Sequence, residues 1–257
     1  SRDNGARRLS AWLDPLRAAL SQIERPTYWF FRDDDAGWAD LKLYALLDCF
    51  AEFHLPIDLA VIPTELRDDL ALALLERHHR APKLLGLHQH GFSHTNHEST
   101  GRKCEFGSSR SSTLQAQDIK KGAALLRAKL GSALDPIFTP PWNRCSSATV
   151  TALLALGFQA LSRDATAAPL DVDDMTELLV TVDWSKRQNG MEISRETLGI
   201  NLAYALESPL VGVMLHHAVM EPADLVALRE FLELLNCHRH VVCLPMRSLV
   251  SKLSQAA

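Results

Sequence analysis

The chain has 257 residues, of which 47% are hydrophobic, and carries a formal net charge of −4. That length fits one large α/β domain or two small ones, and Lys and Arg scattered along an acidic chain argue against nucleic acid as a partner. No run of 18 apolar residues predicts a membrane-spanning helix, the start Ser1-Arg2-Asp3-Asn4-Gly5 has no apolar signal region, and five cysteines without close pairing read as reduced thiols, so a cytoplasmic location is expected.

Apolar spacing predicts a helix over residues 6–23, with Trp12, Leu13, Leu16 and Leu20 on one face. Pro26 closes it, and a strand follows from Thr27 to about Asp33. A helix over 40–53, a strand Ile57–Ile62, a helix over 65–80 and a strand Lys83–His88 come next. Residues 91–113 are rich in Gly, Ser, Thr and His and lack periodicity. They read as a long loop of the kind that carries function in compact domains. A helix over 114–130 leads to the short strand Pro136–Thr139, and Ser146 or Ser147 caps the next helix. Strands follow at Phe158–Ser162, Leu178–Val182, Leu210–Leu215 and His240–Leu244, with helices over 195–207 and 222–236 between them. Sustained strand–helix alternation predicts an α/β fold with a mostly parallel sheet, and seven or eight strands favour its closure into a barrel. One domain over residues 1–257 is expected, with residues 1–26 packed on it as a helical extension.

The reactive side chains follow the C-terminal ends of these strands. Asp33, Asp34 and Asp35 follow the first, His90 and His94 the third, Trp142 the fourth, Asp183 the sixth, and His216 and His217 the seventh. Parallel barrels build their sites on that rim because the strand-to-helix loops converge there. Three consecutive acids at the edge of a core are costly unless a cation or hydrogen bonds compensate them. Imidazole and carboxylate together suit a divalent ion of borderline softness. His90 and His94 are spaced to meet one ion if their segment turns, and His88 and His97 are further candidates. Strand alternation sends His216 and His217 to opposite sides, so one of the two faces the site.

In this order the stretches resemble the motifs of the polysaccharide deacetylase family, the metal-dependent carbohydrate esterases of family four. Phe31-Arg32-Asp33-Asp34-Asp35 is similar to its acid pair, His90-Gly91-Phe92-Ser93-His94 to its His-x-x-x-His stretch, and Thr139-Pro140-Pro141-Trp142 to its Arg-x-Pro-aromatic stretch. Asp183-Trp184 and Leu215-His216-His217 are similar to its acid–Trp and Leu-x-His stretches.

The resemblance implies a distorted (β/α)7-8 barrel. It implies a divalent metal, zinc first with cobalt or nickel as alternatives, held by Asp35, His90 and His94. It implies Asp34 as base, with Asp33 and Asp34 as the rival register for base and ligand, and His217 as general acid. Trp142 would donate its N–H to an oxyanion, and Pro141, Asp183 and Trp184 would line the pocket. Two departures stand out. Gly91 replaces Ser or Thr, and Thr139 replaces the Arg that tethers the base, for which Arg32 or Arg144 are substitutes. The implied activity is removal of an N-acyl group, most simply N-acetyl, from an amino sugar or glycan. The alternatives are an amidase or deformylase on a small non-polymeric N-acylated substrate, and an inert carbohydrate-binding relative.

Overall fold

A computed structural model describes residues 10–170 and 175–256. The start of the expected helix over 6–23 and residues 171–174 lie outside the described residues. The remainder alternates strands and helices as expected. The elements are α1 (Asp14–Ser21), β1 (Thr27–Ala36), α2 (Asp40–Glu52), β2 (Ile57–Val61), α3 (Asp68–Arg80) and β3 (Leu85–His90), then α4 (Ser112–Leu130), β4 (Leu134–Thr139), α5 (Ser147–Ala155) and β5 (Ala160–Asp164). After these come β6 (Thr176–Val180), β7 (Val182–Asp183), a small hairpin of β8 (Arg187–Gln188) and β9 (Met191–Glu192), α6 (Arg195–Ala205), β10 (Leu210–Leu215), α7 (Pro222–Asn236), β11 (Val241–Cys243) and α8 (Met246–Ala256).

The main sheet is parallel throughout, in the order β6-β5-β4-β3-β2-β1-β10-β7. Its two ends meet through the chain itself. β6 pairs with β5 and β7 pairs with β10, while Thr181 between them donates its N–H to Gly212 O at 2.8 Å. The sheet therefore curls into a distorted barrel, as the alternation predicts. The strand expected at His240–Leu244 does not extend the ring. Residues 27–29 of β1 pair with β11, and Arg32, Asp33 and Ala36 pair with β2. With β10 along the other edge of β1, β11 fills the wedge where β1 and β2 part.

Period-two alternation sorts the side chains. On β1, Trp29 and Phe31 point outward, where Phe231 of α7 and Phe50 of α2 pack on them at centroid distances of 5.8 and 5.0 Å. Phe30 points inward and clusters with Ile137, Ala160, Leu178, Met214 and Met246, so the start of α8 closes the barrel floor. The helices bury the faces that their spacing dictates: Leu43, Leu46, Leu47 and Phe50 on α2, and Leu228, Phe231, Leu232 and Leu235 on α7. Ser111 caps α4 by accepting from Leu114 N–H, and a Ser146–Thr149 capping box opens α5. The N-terminal segment packs on α6, where Gly199 lets the backbone of Trp12 approach.

Candidate metal centre and acid–base groups

The apolar floor gives way to polar layers toward the C-terminal rim. Arg32 and Asp34 lie two apart on β1 and share its inward face. Arg32 is fully buried, and its guanidinium grips Asp34 with two hydrogen bonds, Nε to Oδ1 at 2.8 Å and Nη2 to Oδ2 at 2.9 Å. Nη1 donates to Ser162 Oγ at 2.8 Å and Nη2 to Asn143 Oδ1 at 2.6 Å. Burial alone would push the Asp34 carboxyl up, but the charges of Arg32, His90 and His216 outweigh it and hold the group below its ordinary range. The cation compensating this acid is therefore a guanidinium from the same strand. Arg144 is elsewhere, with Nη1 on Lys103 O at 2.9 Å. Thr139, at the position of the family's Arg, hydrogen-bonds His88 Nε2 at 2.8 Å.

The register of β1 against β2 shifts between Asp33 and Ala36, and Asp35 takes a φ of 70°. Such a bulge re-aims side chains next to functional sites, and Asp tolerates the left-handed region better than most residues. It brings Asp35 Oδ1 to 3.2 Å from both His90 Nε2 and His94 Nε2. The three donor atoms lie within 4.8 Å of one another. His90 Nδ1 lies 3.0 Å from Thr139 O. A carbonyl only accepts, so Nδ1 carries hydrogen and the neutral ring offers its Nε2 lone pair toward the cluster, as in imidazole ligation. One carboxylate and two imidazoles converging in this way fit a divalent cation. His88 and His97 stay out of the cluster. His88 is fully buried inside the barrel, where burial and Arg32 push it down to about 3, and His97 is exposed.

The structure places the two rim histidines differently from the expectation that His217 is the acid. His217 Nδ1 meets Asp33 Oδ2 at 2.6 Å, its backbone N–H donates to Asp33 Oδ1 at 2.9 Å, and its Nε2 lies 2.7 Å from Trp38 O. Burial would lower His217, but the Asp33 carboxylate and the Trp38 carbonyl hold it up, to about 9. Both ring nitrogens are occupied, so His217 and Asp33 staple the end of β10 to the turn after β1. His216 is the one that faces the site, half-buried, with Nε2 3.9 Å from Asp34 Oδ2. Met214 pairs with Arg32 in register and contacts its Nη2, so two residues further on His216 follows the same inward side. Asp183, paired with Met214 across β7 and β10, is also near. Burial raises its carboxyl, opposed by His216.

Trp184 is a second departure. Alternation after Asp183 turns it outward, where it is 3% exposed and packs on Phe231 and Trp12 at 5.7 and 6.0 Å. It belongs to the helix layer and not to the pocket wall. Trp142 does reach the site, with its ring 4.4 Å from that of His94 and a φ of 56°. Pro141 is buried against Gly91. Trp38, Ser162 and Asn143 were not expected at the site. Trp38 reaches it through the turn after β1, with its ring 5.0 Å from that of His94. Ser162 and Asn143 reach it through Arg32, across the barrel, and sequence spacing carries no signal for such contacts.

No protein-family model and no curated protein matches the chain. Solved structures do. A protein from Mycobacterium smegmatis assigned to the polysaccharide deacetylases superposes with a TM-score of 0.68 at 17% identity, over 91% of this chain and 92% of that one. A family 4 acetyl xylan esterase from Clostridium thermocellum, in complex with a cobalt ion, gives a TM-score of 0.57 at 13% identity, over 87% and 90%. A family 4 pseudoenzyme from Bacillus anthracis gives 0.58 at 12% identity, over 88% of this chain and 66% of that one. The chain thus has the polysaccharide deacetylase fold that its motif order implies. No helix among the described residues is long and apolar enough to cross a membrane.

Proposed function

We propose that the protein is a divergent polysaccharide deacetylase, a metal-dependent hydrolase that removes an N-acyl group, most simply N-acetyl, from an amino sugar or glycan. The carrying observation is the convergence of Asp35, His90 and His94 beside a buried Asp34 that an arginine keeps ionised. Asp35, His90 and His94 would hold the cation, with zinc as the first choice and cobalt or nickel as alternatives. A cation there would polarise the acyl oxygen and acidify an attacking water.

Asp34 takes a proton from that water as its oxygen bonds to the acyl carbon. The Trp142 N–H donates to the developing oxyanion. His216, on the opposite side of Asp34 from the triad, gives its proton to the amine nitrogen as the C–N bond breaks, since an amide anion is a poor leaving group. Asp183 adds a carboxyl near His216, and Arg32 keeps Asp34 in place and charged. Base and acid thus sit in different environments, which divides their roles. The indoles of Trp38 and Trp142 flank His94 and narrow the approach from that side. This favours, as a second reading, a small non-polymeric N-acylated substrate over a polymer.

Metal analysis of the purified protein, paired with a deacetylation screen over N-acetyl sugars and small N-acyl amides, tests the proposal. Asp34→Asn should retain stoichiometric metal and lose about 10²–10⁴-fold in turnover. Asp35→Ala should lose both. Metal retained in full by Asp35→Ala would refute the ligand assignment. Bound metal without turnover on any acylated amine would leave an inert carbohydrate-binding relative.

A further inference from the structure

Residues 91–111 form a long loop, and Glu105 within it is fully buried. None of the ion pairs among the described residues includes it. Its partners are hydrogen-bond donors on the segment that carries His94. Oε1 accepts from Ser93 N–H at 2.8 Å, Ser93 Oγ at 3.0 Å and Thr95 N–H at 3.4 Å, and Oε2 accepts from Phe92 N–H at 3.1 Å. Backbone amides on both sides of His94 therefore converge on one carboxyl group.

The segment has an unusual shape. His94 has a φ of 55° and Gly91 a φ of 56°. A non-glycine residue in the left-handed region is strained and persists only where its surroundings over-determine it. At Gly91 a Cβ would lie 2.2 Å from Glu105 Oε2 and 2.6 Å from the Pro141 ring, so a side chain fits only if both give way. Glu105 is itself anchored. Phe106 is fully buried and packs on Phe138 of β4 with centroids 5.4 Å apart. On the other side of Glu105, Cys104 N–H donates to Asn96 Oδ1 at 2.9 Å, and His97 N–H donates to Cys104 O at 3.0 Å.

We infer that Glu105 is the positioning residue for the metal ligand His94: its buried carboxyl gathers the amides of residues 92, 93 and 95 and imposes the turn that sets His94 Nε2 3.2 Å from Asp35. This assignment rests on the reading of Asp35, His90 and His94 as a metal centre. It also gives the departure at Gly91 a physical cause. The barrel supplies Asp35 and His90 from strands, but His94 sits on a loop, and the core-anchored carboxyl lends that loop the rigidity a ligand needs.

The test is metal affinity of the stripped full chain, measured by zinc titration in competition with a chromophoric chelator. Glu105→Gln keeps one carbonyl oxygen but points an NH₂ group at N–H donors. It should weaken zinc binding about 10–100-fold, the range for outer-shell partners. Gly91→Ala, which forces the carboxyl and Pro141 away without altering Glu105, should weaken binding in the same direction. Glu105→Asp, with a shorter reach, should fall between Glu105→Gln and the parent. Circular dichroism and denaturant unfolding of the metal-free variants identify those that fold. A merely structural role would lower the unfolding midpoint and leave the affinity of the folded protein unchanged. Wild-type affinity in folded Glu105→Gln, or in Gly91→Ala if the first variant does not fold, overturns the inference alone. Absence of zinc binding in the parent chain removes the metal centre itself, and the inference with it.

Discussion

Three adjacent carboxylates on β1 have three different partners. Asp33 pairs with His217, Asp34 with Arg32, and Asp35 with His90 and His94. Removing Arg32 would strand Asp34. Arg32→Met should cost roughly 3–5 kcal/mol, the range for breaking a buried pair, and should depress turnover further because the base then holds its proton. Arg32→Lys keeps a charge but not the planar fork, so it should fall between the two in denaturant unfolding. The two rim histidines separate in the same way. His216→Asn should lower turnover about 10²–10⁴-fold, with an unfolding free energy within about 0.5 kcal/mol of the parent, since its side chain is half-buried and its 3.9 Å approach to Asp34 is beyond hydrogen-bond range. His217→Asn should show its main effect in stability, again roughly 3–5 kcal/mol, because it strands the buried Asp33. Catalysis lost only in His217→Asn would reverse the assignment. The sequence showed that one of these histidines faces the site. It could not say which, because both faces of β10 are apolar and the helix layer and barrel interior look alike in a string of Val, Met and Leu.

At the scale of the element, alternation accounts for most of the site. It places Phe30, Arg32 and Asp34 inside β1, and Met214 followed by His216 inside β10. It breaks only at the bulge, where Asp35 turns toward the loop histidines. A bulge depends on the pairing with β2, so the run of acids alone cannot announce it. The resemblance supplied the Asp34–Asp35 register instead, and the structure brings Asp35 beside His90 and His94. The strands up to β5 were legible, but the expected strand Leu178–Val182 divides into β6 and β7 and the β8–β9 hairpin was not expected. Nor was the role of the last strand legible, because a three-residue wedge and a ring member have the same local signature. Barrel closure rests on Gly212. Its O accepts from Thr181 N–H, and a Cβ there would sit 2.4 Å from Phe30 Cζ and 2.6 Å from Leu179 O. Gly212→Ala should therefore destabilise by about 1–3 kcal/mol, as overpacking does, and loosen the seam where β7 meets β10. Urea unfolding measures the first. Hydrogen exchange at Thr181 and Trp184, whose N–H groups bond Gly212 O and Met214 O, measures the second. Parent-like protection at both amides would show that the seam does not depend on this glycine.

The whole molecule is a polarity gradient along the barrel axis, from the Phe30–Met246 floor to the charged rim. That gradient was legible because acids, imidazoles and Trp142 all follow strand ends. The contacts across it were not, since Arg32 and Ser162 stand 130 residues apart. Asp58 runs against the gradient. It is on β2, buried near the floor, with Oδ2 accepting from Met246 N–H at 2.9 Å and Oδ1 without a partner among the described residues. Burial pushes its carboxyl up to about 8, and Asp135 adds to the shift. The ordinary value is 3.8, so between these two pH values the folded chain holds a proton that the unfolded chain releases. Stability conferred by that proton is complete below the lower value. It declines as pH rises toward about 8, by at most about 1.4 kcal/mol per unit, and levels off above. Asp58→Asn keeps an oxygen for Met246 N–H and presents a neutral amide near Asp135, so it carries no proton to lose. Denaturant unfolding of the chelator-treated parent and variant should show a gap that widens in favour of Asp58→Asn as pH rises through this range. Parallel pH profiles would mean that Asp58 stays ionised in the floor, with a compensating donor beyond Met246 N–H. Asp58 is in register with Gly86, four residues before His90 on β3, so the proposed ligands lie well beyond it and the variant should retain the parent's metal affinity.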